Sequence, residues 1–201
     1  MTKRRSKERA VPLSYENRMG VTYYLHEGRT KTGKPRYYFA RTIREGALAQ
    51  MPKDYEVAES INGVVSVRRS RSKSSLVGVS DLALVEAALR RHPHLRNHRA
   101  TLVRDAIVIH APDVDEGRLM ERVIASSVVA PRVQDVAREH LRHVHYSPVF
   151  QFVPSGSDWV AHRMTYRGHG GWSWPLANGS LAELISRFVP VIGTEAFFDL
   201  E

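Results

Sequence analysis

The chain has no cysteine among its 201 residues. That absence removes disulfide frameworks, thiol nucleophiles, cysteine-ligated zinc and iron–sulfur centres together. Long apolar runs are missing as well. The most apolar stretch, residues 123–133, is interrupted by Ser126, Ser127, Pro131 and Arg132 and is too short to span a bilayer. No apolar segment follows the basic start, so no secretory leader is expected. The expectation is a cytoplasmic protein with no membrane partner. Acidic residues are scarce in one half only. Residues 1–104 carry 22 Lys and Arg against 9 Asp and Glu, whereas residues 105–201 carry 8 against 12. A basic half joined to a slightly acidic one points to a side that faces a polyanion.

The basic residues come in runs: Lys3 to Arg9, Arg29 to Arg44, Arg68 to Lys73, and Arg90 to Arg104 with His92, His94 and His98 among them. A solvated surface explains any one run. Four in one half favour a nucleic-acid partner, DNA or RNA, with an acidic protein as the alternative.

The pattern along the chain predicts an α+β fold: a small antiparallel β-sheet unit, then mixed hairpins and helices. Residues 1–19 read as a flexible basic arm, 20–75 as a basic β-sheet unit of about four strands, and 80–201 as an α+β unit. Whether the last two share one core stays open. Residues 21–27 and 36–43 alternate around a turn-rich loop and predict a hairpin. A second hairpin is expected around Asn62-Gly63, the favoured pair for a type I′ turn. Ser80 or Asp81 is expected to cap a helix that buries Leu82, Val85 and Leu89 and stops at Pro93. Residues 100–112 read as strand, turn, strand, and 148–168 as a hairpin turning at Ser155 to Asp158. Asp113, Asp115 and Glu116, then Pro131, are expected to open two helices. Ser180 and Glu183 form a capping box. Thr194 is expected to start a last short helix carrying Phe197 and Phe198.

Several motifs carry less than they promise. Gly28 to Lys34 fits G-x-x-x-x-G-K, but Pro35 stands where a nucleotide-binding loop needs Ser or Thr, and a strand follows where a helix is needed. His140, His143 and His145 beside Glu139 match no defensible metal spacing, and no cofactor or metal is expected. Gly168 to Trp172 resembles an oxyanion loop without the G-x-S-x-G elbow that would accompany it. No catalytic set can be named. A metal-dependent enzyme acting on nucleic acid, built from scattered acids and histidines, is a further alternative.

Strand alternation puts Val21, Tyr23 and Leu25 on one side and Tyr24, His26, Arg36 and Tyr38 on the other. The second set is expected either on an open face or as core beneath the C-terminal helices. In the open case Tyr24 and Tyr38 would stack bases. Lys31, Lys34, Arg36, Arg41, Arg68, Arg69 and Arg71 would hold phosphates, helped by the Gly33 amide.

The segments YYLHEGRTKTGKPRYYFA, MPKDYEVAESINGVVSVRR, RMTYRGHGGWSWPLANGSLAELI and GTEAFFDL resemble an uncharacterised family of bacterial proteins. The resemblance covers the first 70 residues and the last 40 or so. It implies a bacterial origin and no activity. The first hairpin also resembles the WGR module of nucleic-acid proteins, with the Trp-Gly-Arg itself missing.

Overall fold

Period-two alternation of aromatic and polar residues is what makes the first unit a sheet. The computed structural model describes residues 11–70, 77–113, 143–165 and 171–200. The fold is mixed α+β, and the chain divides into two compact units, residues 1–71 and 72–201.

In the first unit β1 (Ser14–Glu16), β2 (Thr22–Arg29) and β3 (Pro35–Ala40) form an antiparallel sheet in the order β1-β2-β3. The hairpin of β4 (Tyr55–Glu59) and β5 (Val65–Arg69) is a separate two-stranded sheet. The expected single sheet of about four strands is therefore two smaller ones. Leu25 is fully buried, and Tyr15, Tyr37 and Phe39 lie on its side of the larger sheet. That face meets the hairpin. Tyr37 stands edge-on to Tyr55 at 5.0 Å between ring centroids, and the Tyr15 hydroxyl donates to Glu59 at 2.8 Å. This bond, with burial and the nearby carboxylate charge, raises the Tyr15 pKa above its ordinary value.

β1 lies within the stretch read as a flexible arm. Three residues are too few to show a period, and what orders them is pairing of Tyr15 with Tyr23 and packing on Phe39. Beyond β1, residues 46–48 take over the same edge of β2: Leu48 N–H donates to Leu25 and Glu27 N–H to Gly46.

The two hairpin loops share one construction. Gly33 N–H donates to Thr30 O and Thr30 N–H to Lys34 O; Gly63 N–H donates to Ser60 O and Ser60 N–H to Val64 O. In each, the Thr30 or Ser60 hydroxyl accepts from the residue after the glycine. Each loop thus has three residues with the glycine left-handed, at φ 79° and 72°. Asn62 is not left-handed. The expected two-residue type I′ turn is replaced by the three-residue alternative that the same Gly permits.

The second unit centres on a six-stranded antiparallel sheet. The strands β6 (Arg99–Val103), β7 (Ala106–Pro112), β8 (Tyr146–Ser155), β9 (Asp158–Thr165) and β10 (Gly171–Trp172) run in the order β10-β9-β8-β7-β6, and β11 (Ala177–Gly179) also pairs with β9. Helices α1 (Val79–Arg91) and α2 (Leu181–Phe188) supply the other side of the core. Val85, Ala88 and Leu89 of α1 and Leu184 and Phe188 of α2 bury with Ile107, Ile109, Phe150, Phe152 and Ala161 of the sheet.

Both expected hairpins of this unit form, turning at Arg104-Asp105 and Gly156-Ser157. The capping box forms as read. Glu183 N–H donates to the Ser180 hydroxyl, which with the Ser180 N–H donates back to the Glu183 carboxylate and lowers its pKa. The start of α1 differs: Gly78 is the cap, and Asp81 at the third helical position accepts the Gly78 N–H at 2.7 Å. The last short element is a single 3-10 turn, Glu195–Phe197, that buries Phe197 and leaves Phe198 exposed. Arg163 fixes that turn by donating to the carbonyls of Phe197 and Phe198, both at 2.8 Å. The two helices expected within 114–142 and the Gly168 to Gly170 segment lie outside the described residues. Among the described residues no helix is long and apolar enough to cross a membrane.

Candidate nucleic-acid interface

The face of the β1-β2-β3 sheet turned away from the β4–β5 hairpin carries Tyr24, His26, Arg36 and Tyr38, as alternation predicts. The register sets them in rows. Gly28 stands opposite Arg36, His26 opposite Tyr38, and Tyr24 between Ala40 and Ser14. Tyr24 and Tyr38 are part-buried and Arg36 is exposed. Neither tyrosine is among the fully buried residues. Lys31, at the loop tip, and Lys34, just before β3, are also exposed.

His26 is the residue whose role the sequence did not give. It is fully buried rather than open. Its Nε2 lies 3.0 Å from the Arg44 N–H and its Nδ1 2.8 Å from Tyr24 O. A backbone N–H can only donate and a carbonyl can only accept, so Nδ1 carries the proton and Nε2 accepts. The ring is fixed from both ends. Tyr38 stacks on it, with centroids 5.4 Å apart and planes 17° from parallel.

The other expected contacts scatter. Arg41 lies over the Tyr23 ring at 5.9 Å, on the opposite face from Arg36. Arg68 pairs with Glu56 at 2.7 Å, and both are well exposed, so the pair contributes at most about 1 kcal/mol. Arg69 is exposed, opposite Tyr55 and on the other side of its hairpin from Arg68. Arg71 lies outside the described residues. The Gly33 amide is already used by Thr30 O and offers no phosphate contact. The candidate interface is thereby narrowed to Lys31, Lys34, Arg36, Tyr38 and Tyr24.

The second unit carries a basic group of its own: the exposed Arg90, Arg96 and Arg99 line one groove together with His98. His145 pairs with Asp113 at 2.7 Å, while His140 lies outside the described residues. Among the described residues no three His, Asp or Glu gather as metal ligands. His110 is buried; its Nε2 lies 2.9 Å from the Thr101 hydroxyl, and its Nδ1 has no partner among the described residues. Burial lowers its pKa from 6.5 to about 4. Between those values the unfolded chain takes up a proton that the folded one does not. Stability therefore falls as pH drops from about 6.5 to about 4 and levels off below, by at most about 3 kcal/mol. Urea unfolding at pH 7, 6, 5 and 4 should show this slope in the natural chain and a flatter one in His110→Leu. Equal slopes would contradict it.

No protein-family model, curated protein or solved structure matches this chain.

Proposed function

We propose that this chain binds nucleic acid through the basic tip and the tyrosine-bearing face of its β2–β3 hairpin. The observation that carries this reading is the exposed series Lys31, Lys34 and Arg36 leading directly to Tyr38 and Tyr24 on one sheet face. Guanidinium and ammonium groups hold phosphates without regard to sequence, and ring faces take bases. The +13 balance of residues 1–104 supports it by drawing polyanions to that half. The cytoplasm is the compartment the reading implies.

Fluorescence anisotropy of labelled oligonucleotides between 50 and 200 mM salt tests it. Affinity should fall linearly on a log–log plot, by roughly 0.7–0.9 log units per log unit of salt for each phosphate neutralised. The triple variant Lys31→Ala, Lys34→Ala, Arg36→Ala should bind at least about tenfold more weakly at low salt and lose about 2 from that slope. Binding insensitive to salt, or unchanged in the triple variant, would overturn the reading. Salt-sensitive capture of an acidic protein, with no oligonucleotide bound, would transfer the same surface to a protein partner.

A further inference from the structure

The face proposed to bind nucleic acid has a feature that selects between duplex and single strand. Tyr38 is a held ring rather than a mobile side chain. One of its faces lies against His26, itself locked between Arg44 N–H and Tyr24 O. Its Cε1 comes within 3.3 Å of where a Cβ on Gly28 would stand, so the absence of a side chain at Gly28 gives the ring its place. A ring fixed in this way loses little conformational freedom on binding. The exposed Arg36 lies one row away on the same face of β3, and Tyr24 is the diagonal neighbour on β2, about 7–8 Å from Tyr38 between Cα atoms.

Lys31, Lys34 and Arg36 belong to the β2–β3 loop and to β3, at one edge of the sheet. At the other edge β1 presents Ser14 and Glu16 on this face, and the strap that closes over His26 adds the exposed Arg44. A duplex keeps its base faces stacked inside, out of reach of a tyrosine.

We infer that this face binds single-stranded nucleic acid, with an unstacked base on Tyr38, backed by His26, and the adjoining phosphates on Arg36 and Lys34. The inference rests on the function proposed above. It is tested with the full chain and three fluorescein-labelled probes: a 12-nucleotide oligo-U RNA, a 12-nucleotide oligo-dT, and a 12-base-pair DNA duplex. Either single strand, or both, should bind at least about tenfold more tightly than the duplex. Tyr38→Ala and Tyr38→Leu should lose roughly 5- to 150-fold in single-strand affinity, the loss of one stacked base, and Tyr38→Phe should stay close to the natural chain. The leucine variant fills the space beside His26 without a π-face, so a loss there is not a folding defect if its melting temperature holds. Duplex binding as tight as single-strand binding would overturn the inference and leave the phosphate contacts standing. Full single-strand affinity in Tyr38→Leu would overturn the stacking role. No binding of any probe would overturn this inference and the proposed function together.

Discussion

Asn17→Ala is expected to lower the stability of the first unit by about 3 kcal/mol or more, which for a unit of this size is roughly 10–20 °C in melting temperature. Asn17 is buried between β1 and β2, and its amide makes three bonds to backbone. Nδ2 donates to Gly63 O at 2.7 Å, and Oδ1 accepts from the N–H groups of Met19 at 3.1 Å and Val21 at 2.9 Å. Alanine leaves all three backbone groups without that partner, and a buried polar group without a partner costs about 1–3 kcal/mol. The loss is large relative to what it acts on. Leu25 is the only fully buried apolar side chain described in residues 11–70, so this unit leans on polar ties more than most. Asn17→Asp keeps the two acceptor contacts but sets an acceptor against Gly63 O, and should fall between. Thermal melts followed by near-ultraviolet circular dichroism, to which the tyrosines contribute, read the result. A melting temperature unchanged in Asn17→Ala would show that the tie carries little.

Gly46→Ala is the second large effect. The added Cβ would stand 2.4 Å from the Glu27 carbonyl oxygen, closer than real Cβ atoms come, and the residue is left-handed at φ 84°. Neither side can yield cheaply, because Glu27 N–H donates to Gly46 O in the same contact. The expected cost is about 2–4 kcal/mol. The proposed function gives it a second readout, since the turn at Gly46 brings Arg44 N–H onto His26. Loosening it frees His26 and, with it, the ring of Tyr38. Gly46→Ala should therefore weaken single-strand binding although residue 46 touches no ligand, and hydrogen exchange at the Arg44 amide should speed up. A variant that binds and exchanges like the natural chain would contradict this linkage.

What the sequence made legible was local. The alternation that put Tyr24, His26, Arg36 and Tyr38 on one face needed only the period of a strand, and it holds. The capping box at Ser180 and Glu183 and the hairpin turn at Gly156 are likewise decided within a few residues. The face burying His26 was out of reach, because what closes over it is a strap about twenty residues later, bound at the far edge of β2. The tie of Arg68 to Glu56 was missed for a related reason. A two-residue turn at Asn62-Gly63 would set Arg69 opposite Glu56, and the observed three-residue loop shifts the register by one. β1 is too short to carry a period and exists through its neighbours. Arg163 gave no signal at all, because its partners are carbonyls more than thirty residues away.

The measurement that bears most directly on the central claim is the absorbance ratio at 260 and 280 nm of the full chain, purified without nuclease and washed through rising salt. The account predicts nucleic acid retained at low salt and released at high salt, with the Lys31, Lys34 and Arg36 triple variant arriving clean. Clean natural protein at low salt, with no shift of labelled DNA or RNA, would contradict it.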